Sequence, residues 1–265
     1  MNNKYIGVFD SGMGGLTVVK SVIETMPNEN IIFLGDTANL PYGIHTMEQI
    51  TGFVLNDVKF LSRFDLKAIV IACNTADCAA REKVESLYPL PVFGVIGPTA
   101  EKAAKATHNN KIGVIATNAT VNSGIYEKNI KAVNPSAEVT GVACPKLVPL
   151  IESGHFSKGD AATETALEEY LIPLKAQGID TLVLGCTHYP LISDIIADML
   201  PDVNIISSSA AETEALKNGL YQNGLQSDSA EGDRKFYVSG NTESFESLAK
   251  LILGEAVKKV EHAEI

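Results

Sequence analysis

The sequence has 265 residues, of which 45% are hydrophobic and 20% are charged, a composition typical of a globular protein with one or two domains. Its 21 basic and 32 acidic side chains give a net charge of −11, which argues against nucleic acid or an anionic membrane as partner, because both require basic surfaces. No apolar run reaches the roughly 18 residues that a membrane-spanning helix needs. Residues 1–5 lack the apolar core of a signal peptide, so a cytoplasmic protein is expected.

Short apolar runs alternate with longer stretches of helical periodicity, the pattern of parallel sheets flanked by helices. The predicted strands are residues 5–9, 30–34, 68–72, 92–95, 111–116, 138–143, 181–185 and 204–207. The predicted helices are residues 16–25, 46–64, 76–87, 123–133, 160–177, 191–199 and 244–260. The polar stretch 226–234 is predicted to be an exposed loop. The sequence therefore predicts an α/β protein.

Two apolar runs recur in the second half of the chain. The run IGVF at 6–9 is echoed by IGVI at 112–115, and IVIAC at 69–73 is echoed by LVLGC at 182–186. Buried parallel strands are all rich in Val, Ile and Leu, so one echo alone would carry little weight. Both echoes keep their order and similar spacing, which favours two α/β halves of similar design.

A glycine-rich turn, DSGMGG at residues 10–15, follows the first predicted strand, at the end where parallel sheets bind ligands. A dinucleotide fingerprint would need glycine where Thr17 stands, and no Gly-Lys-Ser/Thr follows to make a P-loop. A phosphatase Asp-x-Asp is missing because residue 12 is Gly. The turn is interpreted as a set of backbone N–H groups that can hold a small anion.

Two cysteines end corresponding strands of the two halves. Cys73 leads into a predicted helix, whose N-terminal dipole is expected to lower the thiol pKa, and Cys186 has His188 two residues later. A zinc site made of these three residues and Asp10 remains an alternative, although zinc usually needs three or four ligands. The remaining cysteines and histidines are interpreted as packing or solvated residues without named partners: Cys78, Cys144, His45, His108, His155 and His262.

If the halves are related by a pseudo-two-fold axis, Cys73 and Cys186 approach one bound ligand from opposite sides. Such a pair suits proton transfer at a stereocentre, because one thiolate removes the proton and the opposing thiol returns one to the other face. Hydrogen-bond donors from Asn74, Thr75 and Thr187 would stabilise the planar carbanion. The spacing therefore favours a two-base racemase.

The four candidate loops, residues 10–15, 35–43, 73–77 and 186–190, contain no Lys or Arg. A bound carboxylate would then be held by backbone N–H groups, hydroxyls and helix N-termini. Asp10 would suit a substrate ammonium group or the proton of a catalytic thiol. The loops therefore predict a ligand that is captured without a basic side chain.

Seven segments together resemble the motifs of bacterial glutamate racemases, in order and spacing, from about residue 6 to about residue 207. They are FDSGMGGLTV (9–18), GDTA (35–38), PYG (41–43), ACNTA (72–76), ACP (143–145), VPLIESG (148–154) and LGCTHYP (184–190). The resemblance implies two pseudo-symmetric parallel-sheet α/β domains with the active site in the cleft between them. It implies a first domain of residues 1–97 plus 208–265 and a second of residues 98–207.

The same resemblance implies a cofactor-independent racemase that interconverts L- and D-glutamate and supplies D-glutamate for peptidoglycan. Cys73 would act on the D-enantiomer and Cys186 on the L-enantiomer, with Asp10, His188 and Glu152 as catalytic helpers. The implied substrate contacts are Asp10, Ser11, Pro41, Tyr42, Gly43, Asn74, Thr75, Thr187 and His188. Members of the family often form homodimers, and a homodimer is expected here.

The sequence departs from the usual family pattern at Asn39, Asp77, Thr99 and Ser207, none of which is a proposed catalytic group. Two other functions stay open at this point. One is a hydrolase or decarboxylase that uses one thiol with His188, but such an enzyme needs no second thiol in the matching place. The other is a non-catalytic amino-acid sensor, which would bind glutamate without exchanging its α-proton.

Overall fold

The computed structural model describes residues 3–265, so Met1 and Asn2 of the amino-terminal segment lie outside the described residues. The described chain forms ten strands in two sheets. They are β1 (Tyr5–Asp10), β2 (Asn30–Gly35), β3 (Leu66–Ile71), β4 (Val92–Gly94), β5 (Lys111–Ala116), β6 (Glu138–Ala143), β7 (Thr181–Gly185), β8 (Asn204–Ser207), β9 (Arg234–Val238) and β10 (Val260–His262).

Eleven α-helices lie between and after these strands in the described part of the chain. They are α1 (Leu16–Thr25), α2 (Met47–Leu61), α3 (Asn74–Leu87), α4 (Ile96–Ala106), α5 (Asn118–Asn122), α6 (Ile125–Val133), α7 (Leu147–Glu152), α8 (Ala161–Gln177), α9 (Ser193–Met199), α10 (Ser208–Gln222) and α11 (Thr242–Leu253). None of the helices within residues 3–265 is long and apolar enough to cross a membrane.

The two sheets have the same strand arrangement at their centres. The first sheet has the order β10-β9-β2-β1-β3-β4 and the second β6-β5-β7-β8, and every strand pairing is parallel. In each sheet the first strand in sequence is flanked by the second and third, with the fourth beyond the third. This repetition agrees with the two echoed apolar runs, and the predicted class of two parallel-sheet α/β domains is confirmed.

The central strands β1, β2, β3 and β7 are buried almost from end to end, which explains why their sequences are apolar apart from the strand ends and Lys67 of β3. Helices cover both faces of a parallel sheet, so its side chains meet protein on either side. Polar groups are consequently confined to the strand ends. This burial makes the carboxyl ends of β1, β3 and β7 the positions where the site residues emerge.

The carboxy-terminal region differs from its prediction. The helix predicted for residues 244–260 ends at Leu253, where Gly254 takes a φ of +58° that a side chain would disfavour, and Val260–His262 instead forms β10. The strand β9 was also not predicted. Together β9 and β10 extend the first sheet beyond β2, so the end of the chain packs beside its beginning.

Helix α10 was missed because its buried face is partly polar. Ser208, Glu212 and Thr213 are buried there beside Leu216 and Leu220, so the sequence lacks a clear apolar stripe. Helices α4 and α7 were not predicted either. Helices α4 and α10 follow the last strands before the predicted domain boundaries and pack against each other. The boundary at 97/98 lies in the first turn of α4, and both boundaries stay predictions.

Candidate active site

Both candidate thiols emerge at the carboxyl end of a central strand. Cys73 follows β3 after one residue and directly precedes α3, and Cys186 directly follows β7. Each is buried, and all four cysteines are free thiols. Burial is the main cause of the raised pKa of Cys73, and a charge on Cys186 would add a small further rise, so the two thiols lie within electrostatic range of each other. The structure therefore brings together the two thiols that the sequence singled out.

Cys186 heads a chain of three polar side chains. Its Sγ lies 3.7 Å from Nδ1 of His188, and Nε2 of the same ring lies 2.7 Å from Oε1 of Glu152, at the end of α7. Burial alone would lower the pKa of His188, but the hydrogen bonds to Cys186 and Glu152 raise it well above its usual range. Both hydrogen-bond partners therefore favour the imidazolium form of His188, and the carboxylate of Glu152 lies behind the ring.

Glu152 is held in its ionised form. Burial on its own would raise the pKa of this carboxyl, but the hydrogen bond and charge of His188 bring it below its ordinary value. The backbone N–H of Met13 also donates to Oε1, over 3.2 Å, and lowers the pKa further. The carboxylate thus joins the glycine-rich turn of the first domain to the histidine of the second.

Cys73 stands in a different environment. Its thiol donates to Oγ of Ser11 over 3.6 Å, and the carboxyl group of Asp10 lies near enough to act on it electrostatically. Burial raises the pKa of Cys73, and the charge of Asp10 raises it further. The expected lowering by the α3 dipole is therefore wrong, because the cost of desolvating a thiolate exceeds the effect of the nearby N–H donors.

Asp10 is completely buried at the end of β1. Its Oδ1 accepts the backbone N–H of Gly12 over 2.9 Å, and its Oδ2 accepts the hydroxyl of Thr187, from the second domain, over 2.9 Å. Burial raises the pKa of this carboxyl, whereas His188 and the two donors oppose the rise. Asp10 is therefore a buried carboxyl group with a raised pKa that contacts both halves of the site.

The glycine-rich turn binds protein carboxylates. The N–H groups of Gly12 and Met13 are engaged by Asp10 and Glu152, so these donors differ from the free anion cradle that the sequence predicted. The glycines permit close approach of the two domains. A Cβ on Gly12 would lie 2.6 Å from Oε1 of Glu152, nearer than side chains come in proteins.

A cluster of hydroxyls lines the space beside Asn74 and Thr75. Oγ1 of Thr75 lies 2.9 Å from that of Thr117 and 3.3 Å from that of Thr120. Sequence reasoning missed Thr117 and Thr120, although they follow β5 at the same sheet edge as the other candidates. The strand-end rule, applied to the fifth strand as well, would have found them.

The PYG segment is anchored through Tyr42. Its hydroxyl lies 2.6 Å from Oδ2 of Asp36 and 2.9 Å from Oδ2 of Asp57, and all three side chains are buried. Pro41 and Gly43 on either side are half-buried, and a Cβ on Gly43 would come within 2.9 Å of Thr117. The segment therefore packs against the hydroxyl cluster of the other domain.

The four departures from the family pattern have local partners. Asn39 donates to the carboxylate of Asp36, Thr99 to the carbonyl of Val95, and Asp77 accepts the N–H of Ile96 over 2.8 Å. Ser207 shares a hydrogen bond with Ser209. Asp36 and Asn39 lie behind the PYG segment, whereas the other contacts lie where α4 and α10 begin.

The remaining cysteines and histidines lie mainly outside this cluster. Cys144 is buried near Cys186, and Cys78 is half-buried on α3. His155, interpreted from the sequence as solvated, is exposed, and its Nδ1 lies 2.8 Å from Oδ2 of Asp160 at the start of α8. Across residues 3–265, no three His, Cys, Asp or Glu side chains are grouped so that they could hold a metal ion.

Comparison with known proteins identifies the family. Residues 6–216 match the model of the Asp/Glu/Hydantoin racemase family. The chain is 43% identical to the glutamate racemase of Streptococcus gordonii over 269 residues, which cover all of both chains. It is also 43% identical to the glutamate racemase of Thermoanaerobacter pseudethanolicus over 266 residues, with 100% and 99% of the two chains covered.

Solved structures support the same family assignment. A glutamate racemase isoform from Bacillus anthracis superposes with a TM-score of 0.94 at 38% identity, covering 100% of this chain and 98% of that one. The glutamate racemase of Francisella tularensis, solved in complex with D-glutamate, gives a TM-score of 0.90 at 38% identity with the same coverage. The chain belongs to the Asp/Glu/Hydantoin racemase family, a family of isomerases.

Proposed function

We propose that the protein racemises glutamate without a cofactor, through proton transfer between the α-carbon and two cysteines. The observation that carries this proposal is the placement of Cys73 and Cys186 at equivalent strand ends of two similar domains, each beside acid/base groups. The relatives of similar length are glutamate racemases, and one related structure was solved in complex with D-glutamate. These similarities favour glutamate as the substrate.

In the L-to-D direction the thiolate of Cys186 takes the α-proton and becomes a thiol. The electron pair of the broken C–H bond delocalises into the α-carboxylate, and Cys73 then donates its proton to the opposite face and becomes the thiolate. The reverse reaction exchanges these roles. The free enzyme regains its starting state when Cys186 loses a proton and Cys73 gains one, so no oxidant or cofactor is consumed.

The two thiols have unlike helpers, which fits this division of labour. The imidazolium of His188 stabilises a thiolate at Cys186, and Glu152 keeps that imidazolium charged. Burial and Asp10 disfavour a thiolate at Cys73, so this residue rests as a thiol ready to donate. Asp10 is placed to accept the proton when Cys73 acts as the base on D-glutamate.

Recognition of the two carboxylates of glutamate would rely on neutral donors. The site offers the hydroxyls of Ser11 and Thr75, the amide of Asn74 and the backbone around Gly43, whereas the hydroxyl of Thr187 donates to Asp10 and the loops contain no Lys or Arg. Hydroxyl and N–H groups in a buried cleft bind carboxylates strongly because little water competes. Supply of D-glutamate for peptidoglycan and a homodimer follow from the family resemblance, whereas a cytoplasmic location was expected from residues 1–5 and the lack of long apolar runs. All three stay predictions.

The experiment that tests this proposal follows the α-proton of each glutamate enantiomer in D2O by NMR, together with optical rotation, without added cofactor. The wild-type protein should incorporate α-deuterium and lose rotation. Cys73→Ala and Cys186→Ala should each lower racemisation by at least about 100-fold, the usual contribution of one acid/base group. Cys78→Ala, a thiol outside the strand ends, should keep the wild-type rate.

Retained racemisation in both Cys73→Ala and Cys186→Ala would refute the two-base assignment. Release of CO2, or acylation of one cysteine, would indicate a decarboxylase or hydrolase that uses a single thiol. Tight binding of glutamate without α-proton exchange would indicate an amino-acid sensor. The same samples therefore separate the proposed racemase from both alternatives.

A further inference from the structure

Tyr126, on α6 of the second domain, makes one strong contact with the first domain. Its hydroxyl donates to Oδ1 of Asn74, the first residue of α3 and the neighbour of Cys73, over 2.6 Å. Both side chains are buried, with 4% and 2% of their surfaces exposed. The contact therefore joins Tyr126, which is remote from the proposed reacting atoms, to Asn74, which is next to the proposed catalytic thiol of Cys73.

The contact distance defines the orientation of the amide. A separation of 2.6 Å is typical of O–H···O bonds and shorter than N–H···O bonds usually are, so the carbonyl end of Asn74 faces the phenol. The opposite end, Nδ2, is buried and has no hydrogen-bond partner within the described chain. An unpartnered buried N–H2 group costs free energy unless a ligand accepts from it.

The hydroxyl of Tyr126 acts as a hydrogen-bond donor. Burial raises the pKa of Tyr126 well above its usual range, against a smaller lowering by the neighbouring Thr99, so the hydroxyl keeps its proton. The ring packs against Gly185, one residue before Cys186, because its edge lies 3.1 Å from the position that a Cβ there would occupy. Tyr126 therefore touches the strand ends of both halves.

We propose that Tyr126 is a positioning residue that fixes the amide of Asn74 with its Nδ2 group directed at the substrate carboxylate. This inference rests on the proposed racemase function and deepens it. Without the phenol, the amide can rotate and present Oδ1 to the carboxylate, which repels it. Because Tyr126 belongs to the second domain, the donor on the first domain is oriented only while the two domains are together.

The test compares Tyr126→Phe with the wild-type protein, in steady-state racemisation of both enantiomers. The expected result is a KM about five- to tenfold higher for L- and D-glutamate, with kcat changed less than twofold, because one oriented hydrogen bond to the substrate is weakened. Tyr170→Phe is the matched control, since Tyr170 is also buried but bonds the N–H of Lys146 away from the strand ends. It should leave KM unchanged.

A double-mutant cycle with Asn74→Ala separates positioning from general packing. Tyr126→Phe should add no further increase in KM in the Asn74→Ala background, because its effect acts only through that amide. A KM for Tyr126→Phe equal to that of the wild type overturns the inference, as does an equal increase in both backgrounds.

Asn74→Asp keeps the test valid even if Tyr126→Phe fails to fold. The aspartate retains an acceptor for the phenol but places oxygen where Nδ2 stood, so KM should exceed that of Asn74→Ala. An Asn74→Asp protein with wild-type KM would overturn the assigned orientation. If the wild-type protein exchanges no α-proton, the proposed racemase function is wrong, but the orientation of the Asn74 amide can still be tested. Calorimetry then measures the affinity of the same variants for glutamate, and these affinities decide the orientation.

Discussion

The imidazole of His188 lies directly against the backbone of Gly14, so that a Cβ atom at residue 14 would stand 2.5 Å from Nδ1. The same Cβ would meet the hydroxyl of Thr187 at 2.5 Å. No side chain fits this space without moving the histidine that serves Cys186. The glycine is therefore needed for the contact between the two halves of the proposed site.

The substitution Gly14→Ala should consequently lower kcat for the proposed racemisation by at least about 100-fold, since displacements of about 1 Å in a catalytic group have effects of this size. Overpacking should also cost about 1–3 kcal/mol in denaturant unfolding. Gly52→Ala is the control, because Gly52 lies within α2 and a Cβ there would meet no other atom within 4 Å. A fully active Gly14→Ala protein would show that His188 does not need its observed position.

The pair formed by His188 and Glu152 should stabilise the fold over a defined pH window. The pKa of Glu152 is lowered, so its contribution is present above its ordinary value of 4.5 and is lost as the pH falls through the folded-state pKa. The pKa of His188 is raised, so its contribution is complete below 6.5 and is lost as the pH rises through the higher folded-state value.

The difference in unfolding free energy between the wild type and Glu152→Gln should therefore be greatest between about pH 4.5 and 6.5 and decline on both sides. A magnitude of about 1–3 kcal/mol is expected for a charged hydrogen bond of this kind. Urea unfolding at several pH values measures it, and Glu169→Gln, in an exposed pair with Lys146, is the control. A difference independent of pH would contradict the ion pair.

Glu212 is a buried acid on α10 whose carboxyl oxygens both lack a hydrogen-bond partner among residues 3–265. Burial, with a further contribution from the charge of Asp77, raises its pKa to about 8. The contribution of neutral Glu212 to the free energy of unfolding is therefore fully present below its ordinary pKa of 4.5. It is lost progressively as the pH rises to about 8. The neutral isostere in Glu212→Gln has no such loss.

We expect Glu212→Gln to be more stable than the wild type above pH 8, by about 2–4 kcal/mol, and similar to it near pH 4. Thermal unfolding as a function of pH is the measurement. Glu214→Gln, on the same helix but exposed, should follow the wild-type curve. Identical pH profiles for Glu212→Gln and Glu214→Gln would mean that Glu212 is ionised in the folded protein.

Tyr42 contacts two carboxyl groups with a hydroxyl that has one proton to donate. It donates to Asp36, which also accepts from Asn39 and Ser239, whereas Asp57 is buried beside Asp36 and its pKa is raised well above the usual range. Because one hydroxyl proton cannot serve two carboxylates, we expect Asp57 to be the protonated member of the pair and to donate to the phenol oxygen.

Asp57→Asn, which preserves a donor at this place, should change the unfolding free energy by less than about 1 kcal/mol and leave KM unaltered. Tyr42→Phe leaves both carboxyl groups without their shared partner and should cost about 1–3 kcal/mol. Denaturant unfolding of the two variants gives the comparison. Equal destabilisation by both would indicate that Asp57 accepts a hydrogen bond as a carboxylate.

The rule that site residues follow the carboxyl ends of parallel strands explains which of them could be predicted from the sequence. Cys73 and Cys186 were predictable because each follows an uninterrupted buried apolar run, and the same rule would have reached Thr117. Tyr126 carried no such signal, since it lies inside a helix and meets Asn74 only through the packing of two domains. A catalytic role for Glu152 came from the family resemblance alone, and its contact with His188 was not predicted.

The second limit on prediction from the sequence was the surroundings that distant segments create around a residue. The pKa of Cys73 depends on how fully the two domains exclude water from it, which a helix dipole read from sequence does not include. Helix α10 escaped detection because Ser208, Glu212 and Thr213 face inward. The strand β10 escaped because it has three residues and pairs only with β9. Each failure reflects contacts between segments far apart in the chain.

The placement of β9 beside β2 has a consequence for how the protein is made. Residues 31–35 pair with residues 234–238, so the first sheet keeps an open edge at β2 until residues 234–238 have left the ribosome. The sheet built from residues 111–207 has all its strands much earlier. During synthesis the second domain can therefore mature first, while the unpaired edge of β2 is exposed to association with other nascent chains. Ser239, which completes the surroundings of Asp36, arrives with that last segment.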